Sequence, residues 1–449
     1  MQYHAMGRSV LWHCNHAIRR ICRAHSELQF LSSNVSNLHQ RRRAFDLSVP
    51  SPPWLQRRDA SSTSIPPFDG IVHELCEENR CQDSDLYYPI RIGDTYNSRY
   101  QVVAKLGYGS QATVWLCRDT AQSRYLALKA YMSAWARRSI RRELAVSKYL
   151  KSIEWDHPGK GMIRTVEDHF QIEHRGGIHD CLVFQPAGIR YTDYRNQMPS
   201  GVFPNLSLLQ QTLRELLTAL DFLHQAQVTH GDLSPNKLLM GVKDQVVFAN
   251  LEATERENPA PRKYGLDRVI YSTCNMPLTE GTPVLNDLGQ ARIGPFHTGD
   301  DVMPDVNRAP EVILGAGWGP PIDMWSVGLM VWNLFEGKRL FHALNTTGQV
   351  DDESHIAEMV GLLGPPDELL ERSPKCNEYW DRDCRWIASS PIPTQTLESR
   401  EIRLTSPSAK RLLLDFTRRV LQWLPESRAT AKELLVDPFI TTRLGADDK

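Results

Sequence analysis

Between Tyr100 and Leu150 the hydrophobic pattern changes period once, from short β-rich runs to helical spacing, and the chain beyond stays mostly helical. The runs are Tyr100–Leu106, Thr113–Cys117 and Tyr125–Ala130, separated by Gly/Ser and Thr-Ala-Gln-Ser breaks. That is the pattern of an antiparallel meander. Ala136–Leu150 then predicts a helix. Leu206, Leu209, Leu213, Leu216, Leu217, Leu220 and Leu223 recur at i, i+3, i+4 spacing and predict a long amphipathic one. Strands first and helices afterwards define an α+β, two-lobed architecture. A small antiparallel β-sheet lobe with one long helix is expected over 86–188, and a large, mainly helical lobe over 189–443. Segments around 255–285 and 340–400 read as loops, and no internal repeat is present.

Charge is unevenly distributed. Residues 1–58 hold nine Arg, no Lys, and only Glu27 and Asp46 as acids. The chain has 52 basic and 53 acidic residues, so everything after residue 58 sums to −8. A basic tail ahead of a moderately acidic body favours a basic partner over nucleic acid; the competing reading is a generic solvated surface. Residues 1–85 read as a disordered, Ser/Pro-rich extension with Arg19-Arg20, Arg41-Arg42-Arg43 and Arg57-Arg58 clusters. Such composition cannot bury enough apolar surface to offset chain entropy. It is also the composition of a mitochondrial presequence, so mitochondrial import stands beside cytoplasm and nucleus as an expected location. Nine scattered Cys without a C-x-x-C pair imply reduced thiols. The apolar stretch Met324–Phe335, flanked by Asp323 and Glu336, falls short of the ~20 residues of a membrane span. A buried helix in a soluble, monomeric protein is expected.

Residues with chemistry to offer follow in a fixed order. Leu106-Gly107-Tyr108-Gly109-Ser110-Gln111-Ala112-Thr113-Val114 spans the first hairpin turn, where glycines let backbone N–H groups approach phosphate oxygens. Leu126-Ala127-Leu128-Lys129 puts a Lys inside an apolar strand. An ammonium there needs a partner, and Glu143 on the next helix is the natural one. His230-Gly231-Asp232-Leu233-Ser234-Pro235-Asn236-Lys237 follows the leucine-rich helix and aligns with the kinase catalytic loop H-R-D-L-x-x-x-N. Asn286-Asp287-Leu288-Gly289 stands at the D-F-G position with Leu for Phe. Ala309-Pro310-Glu311, Asp323-Met324-Trp325 and Arg428 come after it. Each match alone has an ordinary structural reading: a glycine turn, an edge-strand Lys, an Asp-Leu-Gly turn. Seven of them in this order, across some 320 residues, resemble the eukaryotic protein kinases.

That resemblance implies the two-lobed protein-kinase fold, with ATP as phosphate donor and Mg²⁺ as cofactor. Leu106, Gly107, Gly109, Ala112, Val114 and Ala127 would line the ATP site. Lys129 would hold the α- and β-phosphates, with Glu143 fixing it. Asp232 would orient the substrate hydroxyl and Asp287 would bind Mg²⁺. Glu311 with Arg428 would form a buried ion pair, and Asp323 would brace the catalytic loop. Besides Leu288, four positions depart from the pattern. Ala112 replaces the third glycine, Gly231 the Arg that reads an activation-loop phosphate, and Ser234 the Lys near the transferred phosphate. Lys237 replaces the Mg²⁺-binding Asn and offers no oxygen ligand. Three readings stay open. Asn236 serves as ligand one residue early, or the Lys237 ammonium neutralises phosphate in place of one metal, or the chain is a pseudokinase binding module.

Further stretches narrow the family. Tyr88-Pro89-Ile90-Arg91-Ile92-Gly93-Asp94, Asp305–Gly315, Leu334-Phe335-Glu336-Gly337-Lys338 and His355-Ile356-Ala357-Glu358-Met359 with Leu362-Leu363-Gly364-Pro365-Pro366 look like the SR-protein kinases, fungal members above all. The residues between the catalytic loop and Asp287 are similar too. The likeness covers about 88–440. It implies a serine/threonine kinase acting on basic Arg/Ser-rich proteins of the mRNA-splicing type. Basic segments of such substrates would dock on acids such as Asp351, Asp352, Glu353, Asp367, Glu368 and Glu371; the competing reading is solvated loop and helix-cap acids. His230-Gly231-Asp232 also resembles the loop of aminoglycoside and choline phosphotransferases, which lack the Ala309-Pro310-Glu311 and Arg428 elements. From Asp287 to Glu311 the only side-chain hydroxyl is Thr298, followed by Asp300 and Asp301. Without an Arg at 231, a phosphorylation switch has little to act through.

Overall fold

The three β-rich runs become the middle of a six-stranded sheet. A computed structural model of the chain describes residues 86–133, 137–175, 177–265, 268–299 and 302–444; the extension 1–85 lies outside them. The sheet comprises β1 (Thr95–Tyr96), β2 (Tyr100–Tyr108), β3 (Ala112–Asp119), β4 (Arg124–Tyr131), β5 (Val166–His174) and β6 (Gly177–Phe184). It is antiparallel throughout, in the order β1-β2-β3-β4-β6-β5. Alternation explains its two faces. Trp115, Cys117, Leu126 and Leu128 pack with Tyr100 and Val183 on one side. Ala112, Tyr131, Leu182 and Phe184 pack with Ile140 of the Arg137–Lys151 helix on the other.

The leucine repeat forms the Leu206–Gln225 helix, started by Asn205, whose side-chain oxygen accepts from the Leu208 N–H at 3.0 Å. Its apolar stripe and the Pro321–Glu336 helix lie in the largest core cluster. The Glu311–Arg428 pair is fully buried there at 2.6 Å. Leu344–Asp351 makes a turn of its own, in which Asn345 Oδ1 accepts from the N–H groups of Thr347 and Gln349. Among the described residues no helix is long and apolar enough to cross a membrane, and the five cysteines are free thiols.

Two segments expected as loops carry structure. Within 255–285 a hairpin pairs Arg262–Tyr264 with Val269–Tyr271. Within 340–400 the Asp352–Leu363 helix forms. The hairpin strands are three residues each, too short for periodicity to mark; tertiary packing holds them. Tyr271 meets Trp115 edge-on at 5.6 Å, and its carbonyl accepts from the buried Lys105 ammonium at 2.8 Å. The preceding Val246–Glu257 helix sets Phe248 and Leu251 against Val103, Ala104 and Leu116 of the sheet. Glu252 accepts from Tyr125 and Arg118. Chain that belongs by sequence to the helical lobe therefore packs on the sheet lobe and ties the two together.

Candidate active site

Lys129 lies at the centre of the sheet, opposite Val114 on one side and Leu182 on the other. Its ammonium is 3.8 Å from Glu143 Oε2 and 3.7 Å from Asp287 Oδ1. Tyr131, two residues along the strand, donates its hydroxyl to the same Glu143 oxygen at 3.0 Å and lies under the Lys129 ammonium. Glu143 Oε1 is buried without a hydrogen-bond partner. Burial is therefore offset around one carboxylate oxygen by an ammonium and a phenol.

The hairpin turn between β2 and β3 is tight, with Gly109 N–H donating to the Ala112 carbonyl at 2.8 Å. Tyr87 pins it from outside, its hydroxyl donating to the Gly109 carbonyl at 2.7 Å. A Cβ on Gly107 would meet nothing within 4 Å, so its backbone faces open space. The Ala112 methyl points into the cluster of Tyr131, Ile140, Leu182 and Phe184. Replacing a glycine there fills core and leaves the open side of the turn unchanged. Ala127 is fully buried in register with Leu116 and Phe184, while Leu106 and Val114 are half-buried.

The catalytic loop is held from behind by Asp323, which is fully buried. Its two oxygens accept from the N–H groups of His230 at 2.8 Å and Gly231 at 2.9 Å, and His224 Nε2 lies 3.0 Å away. His230 is buried, with Nε2 3.2 Å from the Asn286 carbonyl, a packing position. Gly231 has φ +74°, and a Cβ would come within 3.0 Å of the Gln290 carbonyl and Val302. Asp287 is itself left-handed, at φ 72° and ψ 73°. A non-glycine residue there costs about 1–3 kcal/mol, and such strain gathers at functional sites.

Three segments bring four charges together. The Lys237 ammonium is 2.8 Å from Asp232 Oδ2 and donates to Asp287 Oδ2. Asp287 Oδ1 faces Lys129. Burial raises the Asp287 carboxyl, but the two ammoniums outweigh it and hold it well below the usual carboxylate range. Burial lowers both lysines, and the carboxylates around them more than reverse this, so each stays above its ordinary value. Asn236 is exposed on the turn Pro235–Lys237, and among the described residues no hydrogen bond links it to Asp287. Lys237, one residue on, is the side chain that reaches. Asp287 offers two carboxylate oxygens, the donors a hard dication takes, and Lys237 offers none. The site fits one such ion at Asp287 and not a second at 237.

Arg164 escaped the sequence reading. Its Nη1 donates to Asn286 Oδ1 at 2.9 Å, its Nε to the Gln185 carbonyl at 2.7 Å, and its guanidinium lies over Phe184. Burial brings its pKa down to about 10. It joins the sheet-to-body linker after Phe184 to the residue before Asp287. A lone Arg in the run Met162–Val166 was the available signal.

Backbone contacts hold the described part of the activation segment. Arg292–Ile293 pairs with Val228–Thr229, His297 and Trp318 exchange backbone hydrogen bonds at 2.7 and 2.8 Å, and Trp318 Nε1 donates to the Gly299 carbonyl at 2.8 Å. Thr298 lies exposed between anchored neighbours; Asp300 and Asp301 fall outside the described residues. Thr298→Ala should accordingly change activity by less than about twofold, as backbone bonds carry the order. Phosphate on Thr298 by mass spectrometry, together with a large loss in the variant, would overturn this. Of the proposed docking acids, Asp352 accepts from Arg308 at 3.1 Å, and Glu353 from Ser389 and Ser390 at 2.7 and 2.6 Å. Both are engaged within the protein. Glu371 is exposed, and the side chains of Asp367 and Glu368 fall outside those described.

A curled antiparallel sheet set on a helical body, with a strand Lys, a helix Glu and two loop Asp residues between them, is the protein-kinase arrangement. The protein kinase domain family matches residues 279–440. A serine/threonine protein kinase of Aspergillus fumigatus is 36% identical over 403 residues, covering 88% of this chain and 97% of that protein. The serine/threonine-protein kinase SRPK of Physarum polycephalum is 29% identical over 387 residues, covering 79% and 88%. The dual specificity protein kinase CLK4 of Homo sapiens is 26% identical over 354 residues, covering 77% and 67%. The chain belongs to the serine/threonine protein kinases, a family that generally uses ATP and Mg²⁺.

Proposed function

We propose that this kinase transfers the γ-phosphate of ATP to serine in basic, Arg/Ser-rich proteins of the splicing-factor type, acting as a soluble monomer of cytoplasm and nucleus. The observation that carries the chemistry is the convergence of Lys129, Asp232 and Asp287, with Glu143 behind Lys129. Lys129, held against Glu143, binds the α- and β-phosphates. Leu106, Val114 and Ala127 form the walls that receive the base, and the open side of Gly107 admits the phosphates. Asp232 accepts the proton of the substrate serine hydroxyl as that oxygen attacks. A divalent cation at Asp287 would neutralise charge on the phosphates. Arg164 keeps Asn286, and with it Asp287, in place. The acidic balance of the chain after residue 58 supports a basic substrate, as does likeness to a kinase named SRPK.

The test is radiolabelled phosphate transfer to an Arg/Ser-rich peptide, with a peptide of the same length lacking arginine beside it. Transfer to the first should exceed transfer to the second by about tenfold or more, and Asp232→Ala should remove it. Equal labelling of both would end the substrate reading. A second reading, a binding module with the kinase fold, rests on Lys237 engaging both aspartates. It expects no transfer by wild type and recovery in Lys237→Asn.

A further inference from the structure

We propose that Lys237 is a built-in cation occupying the place of a second divalent ion, so that this kinase holds its nucleotide with a single metal. The proposal deepens the phosphotransfer reading and rests on it. Two-metal phosphoryl transfer in protein kinases needs an oxygen ligand five residues after the catalytic aspartate. Here that position is Lys237, whose ammonium lies between the two carboxylates, 2.8 Å from Asp232 Oδ2 and bonded to Asp287 Oδ2. An ion sharing Asp287 Oδ2 with it would meet like charge at hydrogen-bond range. The neighbouring amide does not substitute, because Asn236 is exposed.

The lysine is also fixed in place. Its backbone N–H donates to the Ser234 carbonyl at 2.9 Å, and its carbonyl accepts from Asn286 N–H at 2.8 Å. The next residues, Leu238 and Leu239, pair with Leu285 and Val284 and are buried. The catalytic loop and the segment leading to Asp287 are thereby laced together around residue 237. Four-fifths of its side chain is shielded from solvent. A cation so placed is preorganised for the negative charge a triphosphate brings between Asp232 and Asp287. An ammonium supplies one positive charge and three donors, where a metal would supply two charges and demand oxygen ligands.

Mn²⁺ is the probe. Full-chain protein saturated with a non-hydrolysable ATP analogue is titrated with Mn²⁺, and bound ions are counted by electron paramagnetic resonance. Wild type should bind one Mn²⁺ per chain and Lys237→Asn two. Lys237→Met should still bind one, with nucleotide affinity at saturating Mn²⁺ weakened by about tenfold or more. Two ions in the wild type would overturn the proposal, as would a single ion in a Lys237→Asn variant of native circular dichroism. The wild-type count decides whichever variants fold. Phosphate transfer plays no part in the readout, so failure of the peptide assay and failure of the one-ion count remain separate results.

Discussion

Asp287→Asn is expected to lower kcat/KM for phosphate transfer by roughly 10²–10³-fold or more while leaving the fold intact. The two halves of this expectation come from different contacts. Asp287 is the only described carboxylate that faces both Lys129 and Lys237. Without its charge, the site keeps one neutral amide oxygen but loses the anionic donor for a dication and the charge link between strand and catalytic loop. Each lysine nevertheless keeps a partner, Lys129 with Glu143 at 3.8 Å and Lys237 with Asp232 at 2.8 Å. No buried ammonium is orphaned, so thermal melting should shift little. Activity within tenfold of wild type would remove Asp287 from the machinery. A collapse of the melting temperature would show that its role is structural.

The second large effect is on stability. Arg428→Ala should destabilise the protein by about 3–5 kcal/mol, the range for breaking a buried ion pair. Arg428 donates to both oxygens of Glu311 at 2.6 Å, and neither side chain is exposed. It also donates to the carbonyls of Gln422, Pro321 and Trp423, and its guanidinium lies over Trp325. Truncation strands a carboxylate and three acceptors in the core of the helical lobe. Arg428→Lys should recover little, since one ammonium cannot reproduce the paired geometry. Combining Arg428→Ala with Glu311→Gln should cost less than the sum of the two, because the stranded charge is gone. Urea unfolding followed by circular dichroism gives these differences. A midpoint shift worth less than about 1 kcal/mol for Arg428→Ala would show that the pair is dispensable.

Much of the architecture was legible because it is written at short range. The strand runs around Val102, Leu116 and Leu128 lengthened by only a few residues, and the leucine ladder became the helix it spells. Lys129 and Glu143 stood out because charge inside an apolar pattern has to be answered by charge. The hairpin Arg262–Tyr264/Val269–Tyr271 was not legible. Its strands are three residues each, too short to show a period, and what holds Tyr271 is Trp115 and Lys105, more than 150 residues away. Arg164 was missed for the same reason, since its value lies in Gln185 and Asn286, which no local window contains.

Lys237 shows where the division falls. Sequence alone determined that a lysine stands five residues after Asp232, and that a sheet lobe precedes a helical lobe in a kinase-like order. Both follow from residue type and spacing along one stretch of backbone. Only the tertiary structure decided that the ammonium lies between Asp232 and Asp287, and that Asn236 is exposed. That placement depends on strands 238–239 and 284–285 pairing across some fifty residues, and on Asp323 bracing the loop from ninety residues further on. Spacing names a candidate, and long-range pairing chooses which side chain arrives.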